Sequence, residues 1–350
     1  MNILVITDKL ILGGAEMYFC KLENQLQHPN ITFYYAAGPG ELYEKIKHKE
    51  KFSEISRTKH FHNINKLRRL ISDRQIDIIH ANSLRMVLYC IAVKSFIKKK
   101  FRIVYTKHNV TSLEQKNPFI FAHLLNNHVE RIITVSEFEK NNLVKSGIKP
   151  SKITTIYNGV DLTQFAFHQK EKGDVFKIGI LARLSEEKNH ELFVKIANQL
   201  RQVPNIMFYI AGDGPEKEKI KELIIMHNLS QKIKMVGAVH NPEIFIKDMD
   251  LLLLTSYREV FPMVILEAMA VGTPIISINR GGIGEALIEN MTGFLINEHS
   301  AEDFCNKILD IKANDEIRRQ FIENALKKVQ TEFSLNQMVS NTLKEYMNCS

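Results

Sequence analysis

Short, nearly continuous apolar runs alternate along the whole chain with longer stretches in which apolar positions recur every three or four residues. In the first half the runs fall at 2–7, 31–36, 76–80, 102–106 and 131–135, the length and character of strands buried on both faces. Helical spacing intervenes at about 15–26, 64–72, 84–97 and 137–145. A second series of runs begins at 176–182 and continues at 206–211, 235–239, 251–254 and 274–277. Between the last two, Val264, Ile265, Ala268 and Met269 recur at helical spacing, with Pro262 at the expected first helical position. Residues 333–347 read as an amphipathic helix. Strand–helix alternation of this kind predicts parallel sheets wound on both sides. At 350 residues, two α/β domains are expected, each doubly wound and Rossmann-like. We place them at 1–165 and 166–330, with a final helix over 331–350 and the polar run 168–174 as linker.

In open sheets of this type ligands meet the carboxyl ends of the strands, and helix N-termini there favour anions. The segment 256–276 is the richest such place: Glu259 lies in the loop after one strand, and Glu267 lies inside the following helix. That is poor spacing for a metal pair and good spacing for touching two parts of one long ligand. Gly13-Gly14 follows the first strand at the head of a helix, where glycine lets a ligand approach backbone closely. The pattern is not Gly-x-Gly-x-x-Gly, so a dinucleotide fingerprint is absent. Arg183 and Lys188, five apart between a strand and a helix, can converge on neighbouring phosphates. Three more strand ends carry polar clusters: His80-Ala-Asn82-Ser83, Lys107-His108-Asn109 and Ser136-Glu137. Ser136 reads as a helix N-cap with Glu139 completing a capping box, and His80 as a hydrogen-bonded core histidine.

The segment around Glu259 resembles the donor-binding segment of retaining glycosyltransferases of family 4, which have the GT-B fold of two such domains facing a cleft. The family pattern stands here as Glu259, Glu267, Gly272-Thr-Pro274, Gly281-Gly282 and Glu285. The resemblance extends to the glycine loop Leu12-Gly-Gly-Ala-Glu16, to His108, to the turn Asn158-Gly-Val-Asp161, to Arg183 and Lys188, and to Gly212-Asp-Gly-Pro215. It implies transfer of a sugar with retention from a nucleotide diphosphate sugar, expected to be a UDP-sugar, without metal or other cofactor. It implies that Glu259 and His108 meet the sugar and that Glu267 meets the ribose. Arg183, Lys188, the Gly13-Gly14 loop and the amides of Phe261, Met263 and Val264 would face sugar and diphosphate. Pro262 departs from the family, where glycine is frequent, and removes one amide. No general base is implied, because a leaving phosphate oxygen takes the acceptor proton. The chain end is expected to cross back onto the first domain.

Charge changes the picture on the acceptor side. Residues 1–170 hold 26 Lys and Arg against 14 Asp and Glu, a balance of +12, while the remainder is at −4. A basic first half points to an anionic partner (nucleic acid, a phospholipid surface or a phosphate-bearing acceptor) or to a solvated face with none, and sparse aromatics rank nucleic acid below a membrane surface. A glycan or lipid-linked acceptor at an anionic inner membrane face fits, with 45–51 and 98–102 as contacts and Phe96, Ile97 or Phe101 dipping into the interface. Four widely spaced cysteines, no long apolar run and no signal-peptide pattern at the start predict a cytoplasmic, at most peripheral, protein. The competing readings are another enzyme of this fold, an epimerase or a phosphorylase, and a non-catalytic protein binding a nucleotide sugar or nucleic acid.

Overall fold

The computed structural model describes residues 1–349. They form two compact units, Met1–Asn158 together with the chain from Leu335 onward, and Gly159–Ser334.

The first unit begins β1 (Asn2–Ile6), α1 (Gly14–Gln25), β2 (Thr32–Ala37), β3 (Phe52–Glu54), α2 (His60–Asp73), β4 (Ile78–Ala81) and α3 (Leu84–Lys94). It continues with β5 (Arg102–Lys107), α4 (Ser112–Lys116), α5 (Pro118–His128), β6 (Arg131–Thr134), α6 (Glu137–Lys145) and β7 (Ile153–Thr155). All seven strands are parallel, in the order β3-β2-β1-β4-β5-β6-β7. Side-chain alternation along β1 sends Leu4 and Ile6 to one face, where they join Leu67, Val87, Leu125 and Leu143 from α2, α3, α5 and α6. Ile3 and Val5 go to the other face and join Phe19 and Leu22 of α1.

The second unit runs β8 (Phe176–Leu181), α7 (His190–Gln199), β9 (Ile206–Ala211), α8 (Lys217–Met226), β10 (Ile233–Gly237), α9 (Pro242–Asp248) and β11 (Leu251–Leu254). Then come α10 (Met263–Val271), β12 (Ile275–Ile278), α11 (Ile283–Ala286), β13 (Phe294–Ile296), α12 (Ala301–Ala313) and α13 (Asp315–Glu332). Its six parallel strands are ordered β10-β9-β8-β11-β12-β13. Ile178, Ile180, Phe208 and Leu253 pack with Phe193, Ile220, Phe304 and Ile308 of α7, α8 and α12. The last helix, α14 (Leu335–Asn348), returns to the first unit and buries Leu335, Met338, Val339 and Tyr346 beside Ile3, Val5 and Phe33.

Several local expectations are corrected. The helix expected to reach residue 97 ends at Lys94, and Phe101 is only 6% exposed, so its ring cannot dip into an interface. Lys99 is engaged with Asp77 at 2.9 Å. Pro262 occupies the cap position ahead of α10 and not its first turn. The stretch 168–174 is no loose linker: the His168 amide bonds Val271 O at 3.1 Å, and Lys170 pairs with Asp250 at 2.9 Å. Both contacts lie inside the second unit. Ser136 does cap α6 by accepting from the Glu139 amide, but the Glu139 carboxylate pairs with Lys107 instead of closing a capping box. A distant cation outcompetes one backbone amide because a charge–charge hydrogen bond is the stronger. Among the described residues no helix is long and apolar enough to cross a membrane.

Candidate functional site

The strand order of the second sheet reverses between β8 and β11, which opens a crevice at their carboxyl ends. The loops leaving these two strands carry the candidate residues. The β8–α7 loop holds Arg183 and Lys188, and the β11–α10 loop holds Ser256 and Glu259. Three bonds sew the loops together. Thr255 Oγ1 donates to Lys188 O at 3.0 Å, the Tyr257 amide donates to Glu187 O at 2.8 Å, and Lys188 Nζ reaches Glu259 Oε1 at 2.7 Å. Ser256 Oγ donates to the same Glu259 oxygen at 2.7 Å. The Lys188 and Glu259 side chains are 22% and 9% exposed, so the pair is largely shielded yet reachable. Arg183 is exposed and has no ion-pair partner among the described residues. Sequence reasoning gave phosphate to Lys188 and sugar to Glu259 separately, and it missed that the two are held together.

Two glycine turns set these loops from behind. Gly281 has φ +63°, and a Cβ there would fall 1.7 Å from Glu259 O; next to it the Gly282 amide bonds Val260 O at 2.9 Å. Gly212 has φ +143°, and a Cβ there would fall 1.9 Å from Ala182 O, one residue before Arg183. Neither position admits a side chain without moving the loop it supports. Beyond Glu259, Phe261 is buried against Phe333 at 5.6 Å between ring centroids. Met263 and Val264 form the first turn of α10, which has no side-chain cap, so its leading amides remain a place for an anion. Glu267 lies one turn further along the same helix, half-buried.

In the first sheet the order reverses between β1 and β4. The β1–α1 loop ends in Gly13, the cap of α1, and a Cβ added at Gly14 would point into open space. Tyr18 of that helix meets the His108 ring edge-on at 4.6 Å, so the glycine turn and His108 belong to one neighbourhood of this unit. Burial, and then the neighbouring Lys107 cation, push the His108 pKa down to about 3, so the ring is neutral, and its buried Nε2 has no hydrogen-bond partner. His80 is the core histidine expected: Nδ1 meets Tyr346 Oη at 2.5 Å and Nε2 meets Thr106 Oγ1 at 2.6 Å. Asn82, 3% exposed at the reversal point, leaves both side-chain polar atoms unpartnered, which folded proteins seldom tolerate. Its position in a strand-end cluster was the only signal the sequence offered. Also unforeseen is a buried group of Lys107, Glu114 and Glu139. Among the described residues no group of three or more His, Cys, Asp or Glu is placed to hold a metal ion.

Two family models match the chain nearly end to end. Residues 12–164 match the model described as Glycosyltransferase Family 4, and residues 163–328 match Glycosyl transferases group 1. An uncharacterised glycosyltransferase of Methanocaldococcus jannaschii is 27% identical over 316 residues, 87% of this chain and 84% of that one. One subunit of the human phosphatidylinositol N-acetylglucosaminyltransferase is 26% identical over 87% of this chain and 67% of its own. The chain spans 52% of the Arabidopsis thaliana protein of the same name. N-acetyl-alpha-D-glucosaminyl L-malate synthase of Bacillus anthracis is 25% identical over 79% and 75%. Among solved structures, Anabaena HepE in complex with UDP superposes with a TM-score of 0.86 at 19% identity, covering 99% of this chain and 100% of that one.

Proposed function

The chain belongs to the GT-B glycosyltransferases, and on that premise we propose that it transfers a sugar with retention from a UDP-sugar, UDP-N-acetylglucosamine first among candidates. What carries the reading is the Lys188–Glu259 pair at 2.7 Å beside the unpaired Arg183, at the point where the second sheet reverses its strand order. A cation poised on a carboxylate can turn to an incoming diphosphate while the carboxylate takes up sugar hydroxyls. The choice of sugar is supported by the relatives named for N-acetylglucosaminyl transfer, and that of UDP by the UDP complex of HepE. The alpha configuration in the name of the Bacillus anthracis enzyme is the one that retention from an α-linked donor gives.

In this reading Arg183, Lys188 and the uncapped amides of α10 stabilise the charge that grows on the leaving diphosphate. Glu267 holds the ribose. His108, which the family resemblance assigns to the sugar, has a neutral ring that suits a hydroxyl better than a phosphate. The bond from the anomeric carbon to the phosphate oxygen breaks, and the bond to the acceptor oxygen forms on the same face. The acceptor proton passes to the departing phosphate oxygen. No metal is assigned a part, so turnover should survive excess chelator; loss that Mg²⁺ or Mn²⁺ restores would count against this leaving-group chemistry. The main test is a panel of radiolabelled nucleotide sugars with and without a lipid-linked acceptor, the anomeric configuration of the product being read by NMR. Inversion, isomerised donor, dependence on inorganic phosphate, or binding without turnover would each sink the proposal.

One observation favours a lipid-bearing acceptor. Phe61, Phe119 and Ile120, at the N-termini of α2 and α5, are 85%, 82% and 50% exposed. Those ends lie at the carboxyl side of the strands, unlike the 98–102 stretch at the far end of α3, which the sequence favoured. Phe119→Ser with Phe61→Ser should reduce co-sedimentation with anionic vesicles; unchanged pelleting would remove the surface from consideration.

A further inference from the structure

Next to His108 the first unit buries charge that none of the steps above uses. Lys107, the last residue of β5, has a fully buried side chain. Its Nζ lies 3.1 Å from Glu114 Oε2 of α4 and pairs with Glu139 of α6; those two side chains are 10% and 1% exposed. Glu114 Oε2 also accepts from the Thr111 amide at 3.2 Å, within the capping box that starts α4. A single carboxylate oxygen is therefore bound from both ends of the five-residue stretch from Lys107 to Thr111, with His108 inside it. On the far side Glu139 is fixed by the first turn of α6, where Ser136 accepts from its amide.

Taking a lysine and two carboxylates out of water is unfavourable, and apolar side chains of similar volume commonly serve stability as well or better. The middle of β5 follows that rule with Ile103, Val104 and Tyr105, all buried. What the charged group adds over apolar packing is direction. Hydrogen bonds to two helices fix where the end of β5 points, whereas methyl groups would leave it free to slide. His108 needs such fixing, since its Nε2 has no partner and its ring is held edge-on by Tyr18.

We propose that Lys107 is a positioning residue, clamping the His108 loop between Glu114 and Glu139 so that the imidazole is presented to the transferred sugar. The proposal rests on the reading that His108 meets that sugar. Removing Lys107 alone would strand two buried carboxylates and could unfold the unit. The informative variant is Lys107→Met with Glu139→Leu, which replaces the buried pair by apolar volume. It should melt within a few degrees of the wild type and bind UDP unchanged by titration calorimetry. Its turnover of UDP-N-acetylglucosamine, or of whichever panel donor the wild type uses, should fall roughly 10- to 100-fold, as misplacement of a reacting group does. In a His108→Ala background the same pair of substitutions should add no further loss. Wild-type turnover in the folded variant, or losses that multiply in that background, would overturn the clamp. If His108→Ala itself turns over normally, the sugar assignment fails and the clamp falls with it; an impaired His108→Ala beside an active Lys107 variant is the distinct signature of a wrong clamp alone. Should the double variant not fold, Glu114→Leu removes the oxygen that Lys107 and the Thr111 amide share, frees the loop from one end and should lower turnover without moving UDP affinity; normal turnover there overturns the proposal equally.

Discussion

Lys188 is paired with Glu259, and this changes what substitution of either should do. On the proposed roles, Glu259→Gln removes the counter-charge from the cation assigned to phosphate. UDP itself should then bind more tightly, by roughly 5-fold or about 1 kcal/mol for a largely shielded pair. Turnover should still fall steeply, because in that reading the sugar loses its carboxylate. Glu267→Gln should do the opposite to UDP, weakening it by roughly 10- to 150-fold if a charged hydrogen bond to ribose is lost. Titration calorimetry with UDP decides, and weaker binding by the Glu259 variant would refute the pairing argument. Residue types and spacing made Arg183, Lys188, Glu259 and Glu267 legible as candidates. The Lys188–Glu259 bond was not legible, because the partners are 71 residues apart and only the strand order joins them. Glu139 was misread for the same reason: Ser136-x-x-Glu is a sound local signal, and the competing Lys107 lies 32 residues away.

At the level of elements, apolar runs placed the central strands to within about two residues, since a strand buried on both faces leaves little else to be. The region 108–130 escaped, because α4 is five residues long and Asn117-Pro118 breaks the pattern before α5. The edge strand β3 was hidden in a Lys-rich stretch, where exposure dilutes the apolar signal. Gly212 and Gly281 were readable as turn residues, but not the backbone pressed against each. Gly281→Ala should therefore cost about 1–3 kcal/mol, from a positive φ and a forced shift of the Glu259 loop, and should lower turnover with it. A calorimetric melt like that of the wild type would contradict the close approach. The final helix was legible from spacing alone. Of its buried side chains, Leu335, Met338, Val339 and Tyr346 represent about 1.5–3 kcal/mol each, a sum comparable to the roughly 5–15 kcal/mol that stabilises a whole domain. A chain ending at Ser334 should lose hydrogen-exchange protection in β1 and β2 and keep it in β8 and β11. Unchanged protection in β1 would show that α14 is dispensable.

For the molecule as a whole, the surplus of positive charge in residues 1–170 was visible in composition, but burial, which composition cannot supply, governs how the fold responds to acid. Each unit encloses one histidine that is almost fully buried: His80 at 0% exposure in the first and His190 at 2% in the second. Burial lowers the pKa of His80, and of its neighbour His108, to about 3, and burial together with the Lys188 cation lowers that of His190 to about 4. In the unfolded chain all three groups titrate near the ordinary histidine value of about 6.5. Between that value and the folded one the unfolded state binds the extra proton, so stability is complete above pH ~6.5 and falls as the pH drops. The slope is about 1.4 kcal/mol per pH unit for each histidine, or about 2 kcal/mol between pH 7 and 5. Depressed carboxylates such as Asp77 act only at lower pH and leave this window to the imidazoles. Urea unfolding at pH 7 and pH 5, read by hydrogen exchange in peptides of each sheet, should show a loss of this size in the second unit and about twice it in the first, which holds two such rings. His80→Gln should about halve the dependence in the first unit and leave the second unchanged. A stability independent of pH across that window, or the same slope in the variant, would mean that these imidazoles are solvated and that neither unit is closed around its histidine.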